Sequence, residues 1–179
     1  LIKLYTQLIK LNASLVQPRI LGFDNKEQFL CKKDPTLLAM IIRMYKLHLR
    51  FRFFEKYNNK YIMLEKAYNK KRNTRSSYLS GCAMMVNLID FRRVSGFDKR
   101  FFMYLEDADL SRSLNQINGA YQIGSCFIFH RWAKENHTKL RLKFISIVSF
   151  IKLSISIGNF PAITKFFFLS ISVLDNDNK

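Results

Sequence analysis

Glycine, proline, cysteine and acidic residues are all scarce in this chain of 179 residues. It has 6 Gly, 3 Pro, 3 Cys and 13 Asp and Glu, against 30 Lys and Arg. The three cysteines, Cys31, Cys82 and Cys126, are odd in number and far apart, with no CxxC pair. That argues against a disulfide framework or a zinc site and fits a reducing cytosol. No apolar run is long enough for a confident membrane span, which needs about 20 residues. Phe144 to Ile151 is too short, and Lys152 interrupts it. No internal repeat is present, and no helix-turn-helix, RNA-recognition or zinc-finger pattern appears.

What is present is apolar bulk and positive charge. Hydrophobic residues make up 49% of the chain and 17 of them are Phe. One domain of this length can bury a real core, and the composition is not of the disordered type. The net charge of +17 attracts phosphates of any kind: nucleic acid, anionic headgroups or nucleotide diphosphates. A Lys- and Asn-rich compositional bias would give the same charge. The chain opens Leu1-Ile2-Lys3-Leu4, which reads as the middle of a helix. We therefore expect a piece of a longer reading frame.

Residues 1–11 carry Leu1, Leu4, Leu8 and Leu11 at helical spacing, with Asn12 able to end the helix. Leu15 to Leu21 reads as a short strand interrupted by Pro18, which suits an edge or a strand end. Gly22 to Asn25 is a turn, and Gln28 to Cys31 a second short strand. Pro35 fits the first turn of a helix running Leu37 to Tyr45. Tyr78 to Val86 predicts one strand with Gly81 inside it, and Asn87 caps a helix from Leu88 to Val94. A turn at Gly96-Phe97-Asp98 precedes a helix from Asp107 to Ile117, stopped by Gly119. Tyr121 to Phe129 is a strand ending at His130.

Two segments stand apart. Residues 32–75 are strongly basic, with Phe and Tyr interleaved. This reads as an insertion suited to a membrane surface or a single-stranded nucleic acid, or else as a mobile, solvated loop. In residues 139–157, Lys139, Lys143, Ser146, Ser149 and Lys152 recur every three or four positions among Leu, Ile, Phe and Val. That spacing predicts an amphipathic helix with a narrow polar stripe, lying in the plane of a membrane surface. Packing on the domain's own core is the alternative. The chain thus divides into residues 1–138, which carry the basic insertion, and a tail over residues 139–179, expected to be amphipathic and membrane-associated.

The sharpest feature is Phe101-Phe102-Met103-Tyr104-Leu105-Glu106-Asp107-Ala108-Asp109-Leu110. Three carboxylates fall within four residues where a loop meets a helix start. Helix capping and dipole compensation alone would account for a lone EDxD. The surroundings add to it: Ser80-Gly81-Cys82-Ala83-Met84 upstream, then Ser95-Gly96-Phe97-Asp98-Lys99-Arg100, and downstream Gly119-Ala120-Tyr121 and a strand closing on His130.

This ordered series resembles the family-2 glycosyltransferases, in particular their rhamnosyltransferase-like branch. The family's block reads GGFDERFFMYxEDxDL; here it reads SGFDKRFFMYLEDADL. Gln17-Pro18-Arg19-Ile20-Leu21 and Gln28-Phe29-Leu30-Cys31-Lys32 look like the segment before the acceptor region. The likeness covers roughly residues 1–155. It implies an α/β fold, the later, acceptor-side part of a GT-A type nucleotide-diphospho-sugar transferase domain with a mixed sheet. The tail after Gly158 departs from the family, and the nucleotide-binding N-terminal half with its Asp-x-Asp metal motif is absent. Asp107-Ala108-Asp109 has that spelling but sits in the EDxD block. The chain alone is therefore expected to bind nucleotide sugars weakly and to transfer nothing.

The resemblance implies transfer of a hexose or deoxyhexose such as rhamnose from a nucleotide-sugar donor to a polysaccharide or lipid-linked acceptor. The displacement would be single and in line, with inversion. Asp107 matches the family's base and Glu106 its support. Asp107 sits at a helix N-terminus, with Glu106 and Asp109 as like charges beside it. His130 matches a histidine that helps bind a divalent metal, Mn or Mg, on the diphosphate, and neutral imidazole suits that role. Gly81, Cys82 and Asp109 match the acceptor pocket. The implied setting is the cytoplasmic, inner face of the cell membrane, on an anionic lipid surface, in cell-surface polysaccharide synthesis. Outside that class, the chain reads as a non-catalytic basic membrane-surface protein or a nucleic-acid-binding module.

Overall fold

A computed structural model describes residues 1–131 and 140–156. Within them the chain is mixed α/β: helices α1 (Ile2–Lys10), α2 (Leu37–Met44), α3 (Arg52–Tyr61), α4 (Leu88–Arg93), α5 (Glu106–Ile117) and α6 (Leu140–Ser156), with six strands. Strands β1 (Leu15–Leu21), β3 (Thr74–Arg75), β5 (Met85–Val86) and β6 (Ala120–Phe129) form a mixed sheet in the order β3-β6-β1-β5. Strands β2 (Cys31–Lys32) and β4 (Tyr78–Leu79) make a separate antiparallel pair.

β1 and β6 run parallel along the whole of β1. Six consecutive residues of β1, Leu15 to Ile20, are buried, as expected of a strand covered on both faces. Val16 and Ile123 pack under Leu4 and Leu8 of α1. Leu15 packs on the other side against Leu110 and Leu114 of α5. The result is a layer of helix, sheet and helix. Over β6 the segment 69–72 crosses so closely that a Cβ on Gly124 would lie 2.1 Å from the Asn69 carbonyl oxygen. Only glycine fits there.

Several expectations are corrected. β1 is an interior strand, not an edge. Pro18 is tolerated because β5 pairs only with Leu15 and Val16, and the register with β6 shifts between Pro18 and Arg19, so the missing N–H falls at an irregularity. Residues 78–86 do not form one strand. The chain leaves β4 at Ser80, turns through Gly81 and re-enters the main sheet as β5, because Tyr78-Leu79 pair with β2 while Met85-Val86 pair with β1. Of residues 28–31 only Cys31 is in a strand, and Pro35 lies just before α2 rather than in its first turn, because Thr36 is the N-cap, its side chain accepting from the Ala39 N–H. Asn87 caps α4 as expected.

The basic segment 32–75 is folded, not a solvated loop. α2 and α3 bury Ala39, Ile42, Tyr61 and Ile62. α6 forms over residues 140–156, with Phe144, Ile147 and Ile155 of its apolar face exposed. Its polar stripe faces the protein: Ser149 Oγ donates to the Met103 carbonyl at 2.7 Å, Lys152 Nζ donates to the Arg100 carbonyl, and Ser156 Oγ donates to Asp109 at 3.2 Å. Phe150 and Leu153 are buried against Phe101, Leu105 and Ala108. The second half of this helix is a lid on the first turn of α5. Lys139, Ile157 and the rest of the tail lie outside the described residues. No described helix is long and apolar enough to cross a membrane.

Candidate functional site at the start of α5

The approach to the site is a built turn. Asp98 accepts from the Arg100 N–H at 2.8 Å and pairs with its guanidinium at 2.5 Å, and these contacts hold its carboxyl below the usual range. Phe101 is buried, and Tyr104 and Leu105 both take the left-handed conformation, φ 67° and 64°. Two adjacent non-glycine residues there carry strain on the order of 1 kcal/mol each or more. Burial of Leu105 beside Phe150 and Leu153 holds the turn in place.

α5 then begins at Glu106 with Leu105 as its N-cap and no side-chain cap bond. The acids occupy its first turn instead. Asp107 Oδ1 accepts from the Ala108 N–H, and Oδ2 accepts from the Gly81 N–H, both at 2.9 Å. A Cβ on Gly81 would meet the Asp107 Cβ at 3.3 Å. The space beside this glycine is thus taken by Asp107 itself rather than left open for a sugar. Three further bonds set the position of Gly81. Ser111, one turn along α5, donates to the Leu79 carbonyl at 3.1 Å and accepts from its N–H at 3.2 Å. Gln17 of β1 donates from Nε2 to the Ser80 carbonyl.

The flanking acids differ from Asp107. Burial raises the pKa of Glu106, and the charge of Asp107 adds to the rise; Glu106 Oε2 is buried with no hydrogen-bond partner. Burial also raises Asp109, opposed by the bond from Ser156. At these two positions burial is the largest influence. Asp109 therefore faces α6 while Asp107 faces Gly81. Cys82, next to Gly81, is half-buried, and burial pushes its thiol up.

One residue of the site escaped sequence reasoning. Lys32 of β2 is buried opposite Tyr78, with Nζ 4.4 Å from the ring centroid. Burial lowers its pKa to about 8 and Arg43 adds to the fall, while Asp107 and Cys82 pull it back up. In the sequence it is one basic residue among many. Only the β2–β4 pairing marks it out, by laying it across Tyr78.

His130 lies elsewhere. Its N–H donates to the Leu21 carbonyl at 2.8 Å, at the far end of β1. The Asp107 cluster is tied to β1 at Gln17, four residues or about 13 Å back along the strand. Gln28 Nε2 donates to the His130 carbonyl at 2.6 Å, so Gln28 Oε1 faces Nδ1 at 3.1 Å. With Gln28 Oε1 as the acceptor, Nδ1 is the donor, the kind of bond that orients a metal-binding imidazole. Among the described residues, however, no group of three His, Cys, Asp or Glu converges on one point.

No family model, curated protein or solved structure matches this chain. The functional reading therefore rests on the residues themselves. They comprise an oriented carboxylate at a strained helix start, a buried lysine that feels its charge, and a separate histidine whose Nδ1 faces Gln28. Trp132 lies outside the described residues.

Proposed function

We propose that the chain is the acceptor-side part of a GT-A type, inverting nucleotide-sugar transferase of the family-2 kind. It would transfer a hexose or deoxyhexose to a polysaccharide or lipid-linked acceptor in cell-surface polysaccharide synthesis. The observation that carries this reading is the seating of Asp107, whose two oxygens are aimed by the Gly81 and Ala108 N–H groups. Each carboxylate oxygen keeps a second lone pair for an acceptor hydroxyl.

In the reaction, the acceptor hydroxyl binds Asp107. Its oxygen attacks the anomeric carbon as its proton passes to Asp107, and the bond from that carbon to the nucleotide diphosphate breaks on the opposite face, the electron pair leaving with the diphosphate. A divalent metal would supply charge stabilisation to that leaving group. The described residues do not form a site for it by themselves. His130 offers one ligand nitrogen, and the remaining ligands would come from a nucleotide-binding segment.

The test is transfer of radiolabelled sugar to membrane-extract acceptors, by the chain joined to a nucleotide-binding segment that bears an Asp-x-Asp motif. Asp107→Asn should leave the circular dichroism unchanged and lower transfer about 10²–10⁴-fold, the usual scale for loss of a general base. Near-normal turnover by Asp107→Asn would overturn the assignment.

A further inference from the structure

The connection between α2 and α3 presents an unusual surface. Tyr45, Leu49, Phe51 and Phe53 are 62%, 73%, 55% and 74% exposed. Four large apolar side chains within nine residues form a patch that a water-facing surface seldom carries without a partner. The segment holding them is ordered. Leu47–Leu49 form a 3-10 turn entered through a left-handed Lys46, and the Arg50 and Phe51 N–H groups both donate to the Leu47 carbonyl. Phe54 stands edge-on to Phe51 and Phe53, with centroids at 5.9 and 5.6 Å, and props both rings.

The rim is almost entirely cationic. Lys46, Arg50, Arg52 and Lys56 are exposed, and Glu55 is the only acid between residues 43 and 60. α6 extends the rim with Lys143, whose Nζ lies 5.4 Å from the Tyr45 ring centroid. A second copy of the chain would bring the same positive rim against this one and be repelled. A single-stranded nucleic acid would gain from the aromatic faces but nothing from Leu49, which offers no ring for a base to stack on. An anionic bilayer satisfies both features, with apolar tips at the acyl boundary and cations on the headgroup phosphates.

We propose that the 45–53 segment is an interfacial anchor that inserts Leu49, Phe51 and Phe53 into an anionic lipid surface. It places a membrane contact in the basic segment, apart from α6, whose Ser149 and Lys152 are turned onto the protein. It shares no residue with the Asp107 site, so it stands or falls apart from the transferase reading.

The experiment is flotation of the full chain with vesicles of phosphatidylcholine alone, and of phosphatidylcholine with about one-third phosphatidylglycerol. Binding should require the anionic lipid and weaken as salt rises. The Leu49→Ser/Phe53→Ser double variant should partition about tenfold less or weaker still at every salt concentration, with unchanged circular dichroism, because both side chains are exposed. Lys46→Glu/Arg50→Glu should lose binding chiefly at low salt, and Ile2→Ser, an exposed apolar change on α1, should bind as wild type. Three results would overturn the proposal. One is undiminished flotation of the double variant. Another is complete displacement by poly(U) RNA, with the double variant unaffected. The third is a lipid-free dimer, seen by light scattering, that the double variant abolishes.

Discussion

Replacing Lys32 by Met should stabilise the fold at neutral pH, by an amount that shrinks as the pH rises. The ammonium is buried, and its pKa falls from 10.5 to about 8. At 1.36 kcal/mol per pH unit, keeping the proton on the folded chain costs about 3 kcal/mol. The contact with the Tyr78 ring at 4.4 Å returns part of this, up to about 2 kcal/mol for a desolvated cation. Met fills a similar volume without the charge, so the net gain at pH 7 should be about 1–2 kcal/mol. Because the folded pKa lies below the unfolded one, the unfolded chain binds more protons between about pH 8 and 10.5, and wild-type stability rises through that window. The penalty is in full force below about pH 8. Urea unfolding followed by far-UV circular dichroism at about pH 7 and about pH 9.5 measures both effects. The advantage of Lys32→Met should fall by half or more at the higher pH. A variant less stable than wild type at pH 7, or an advantage independent of pH, would refute the burial argument. If Lys32 serves Asp107, the stabilised variant should also transfer sugar poorly, a trade of stability against activity.

Other outcomes follow from the same contacts. Glu106→Gln should lower transfer less than Asp107→Asn; the reverse order in the radiolabel assay would move the base to residue 106. Leu153→Ala should destabilise by about 2–5 kcal/mol in urea, since Leu153 is 1% exposed under α5; a loss below about 0.5 kcal/mol would mean that α6 is not docked. Asp90→Ala removes the acceptor for Ser14 Oγ at 2.7 Å and Asn118 Nδ2 at 3.1 Å, and should cost about 2–4 kcal/mol, read as a lower Tm. In a transferase carrying its nucleotide-binding segment, His130→Ala should raise the metal concentration needed for activity. An unchanged metal dependence would leave His130 as only the end of β6.

Local chemistry was readable where a single residue type dictates the backbone. Asn87 caps α4 with its own side chain, Asn12 ends α1 in the left-handed conformation, and Gly119 at φ 94° stops α5. These features depend on neighbours a few residues away. Pro18 misled because its cost depends on what stands beside it, and β5 stops short of it. The strand expected over residues 78–86 misled for a related reason: its two halves find different partners, 31–32 and 15–16, far off in the chain.

The candidate site divides in the same way. The sequence alone determined that three acids open a helix after an aromatic turn, and that a histidine closes the last strand. Spacing along one chain sets those features. Tertiary structure decided which acid faces what. Gly81, 26 residues upstream, binds Asp107. Ser156, 47 residues downstream, takes Asp109. Lys32 arrives through a strand pairing that no periodicity announces. It also decided the fate of the tail helix. A stripe of Ser and Lys reads as a water-facing side, yet the carbonyls of Met103 and Arg100 accept from Ser149 and Lys152, and that satisfies the stripe indoors. Polarity along a helix says which groups need hydrogen bonds; only the packed chain says whether water or protein supplies them.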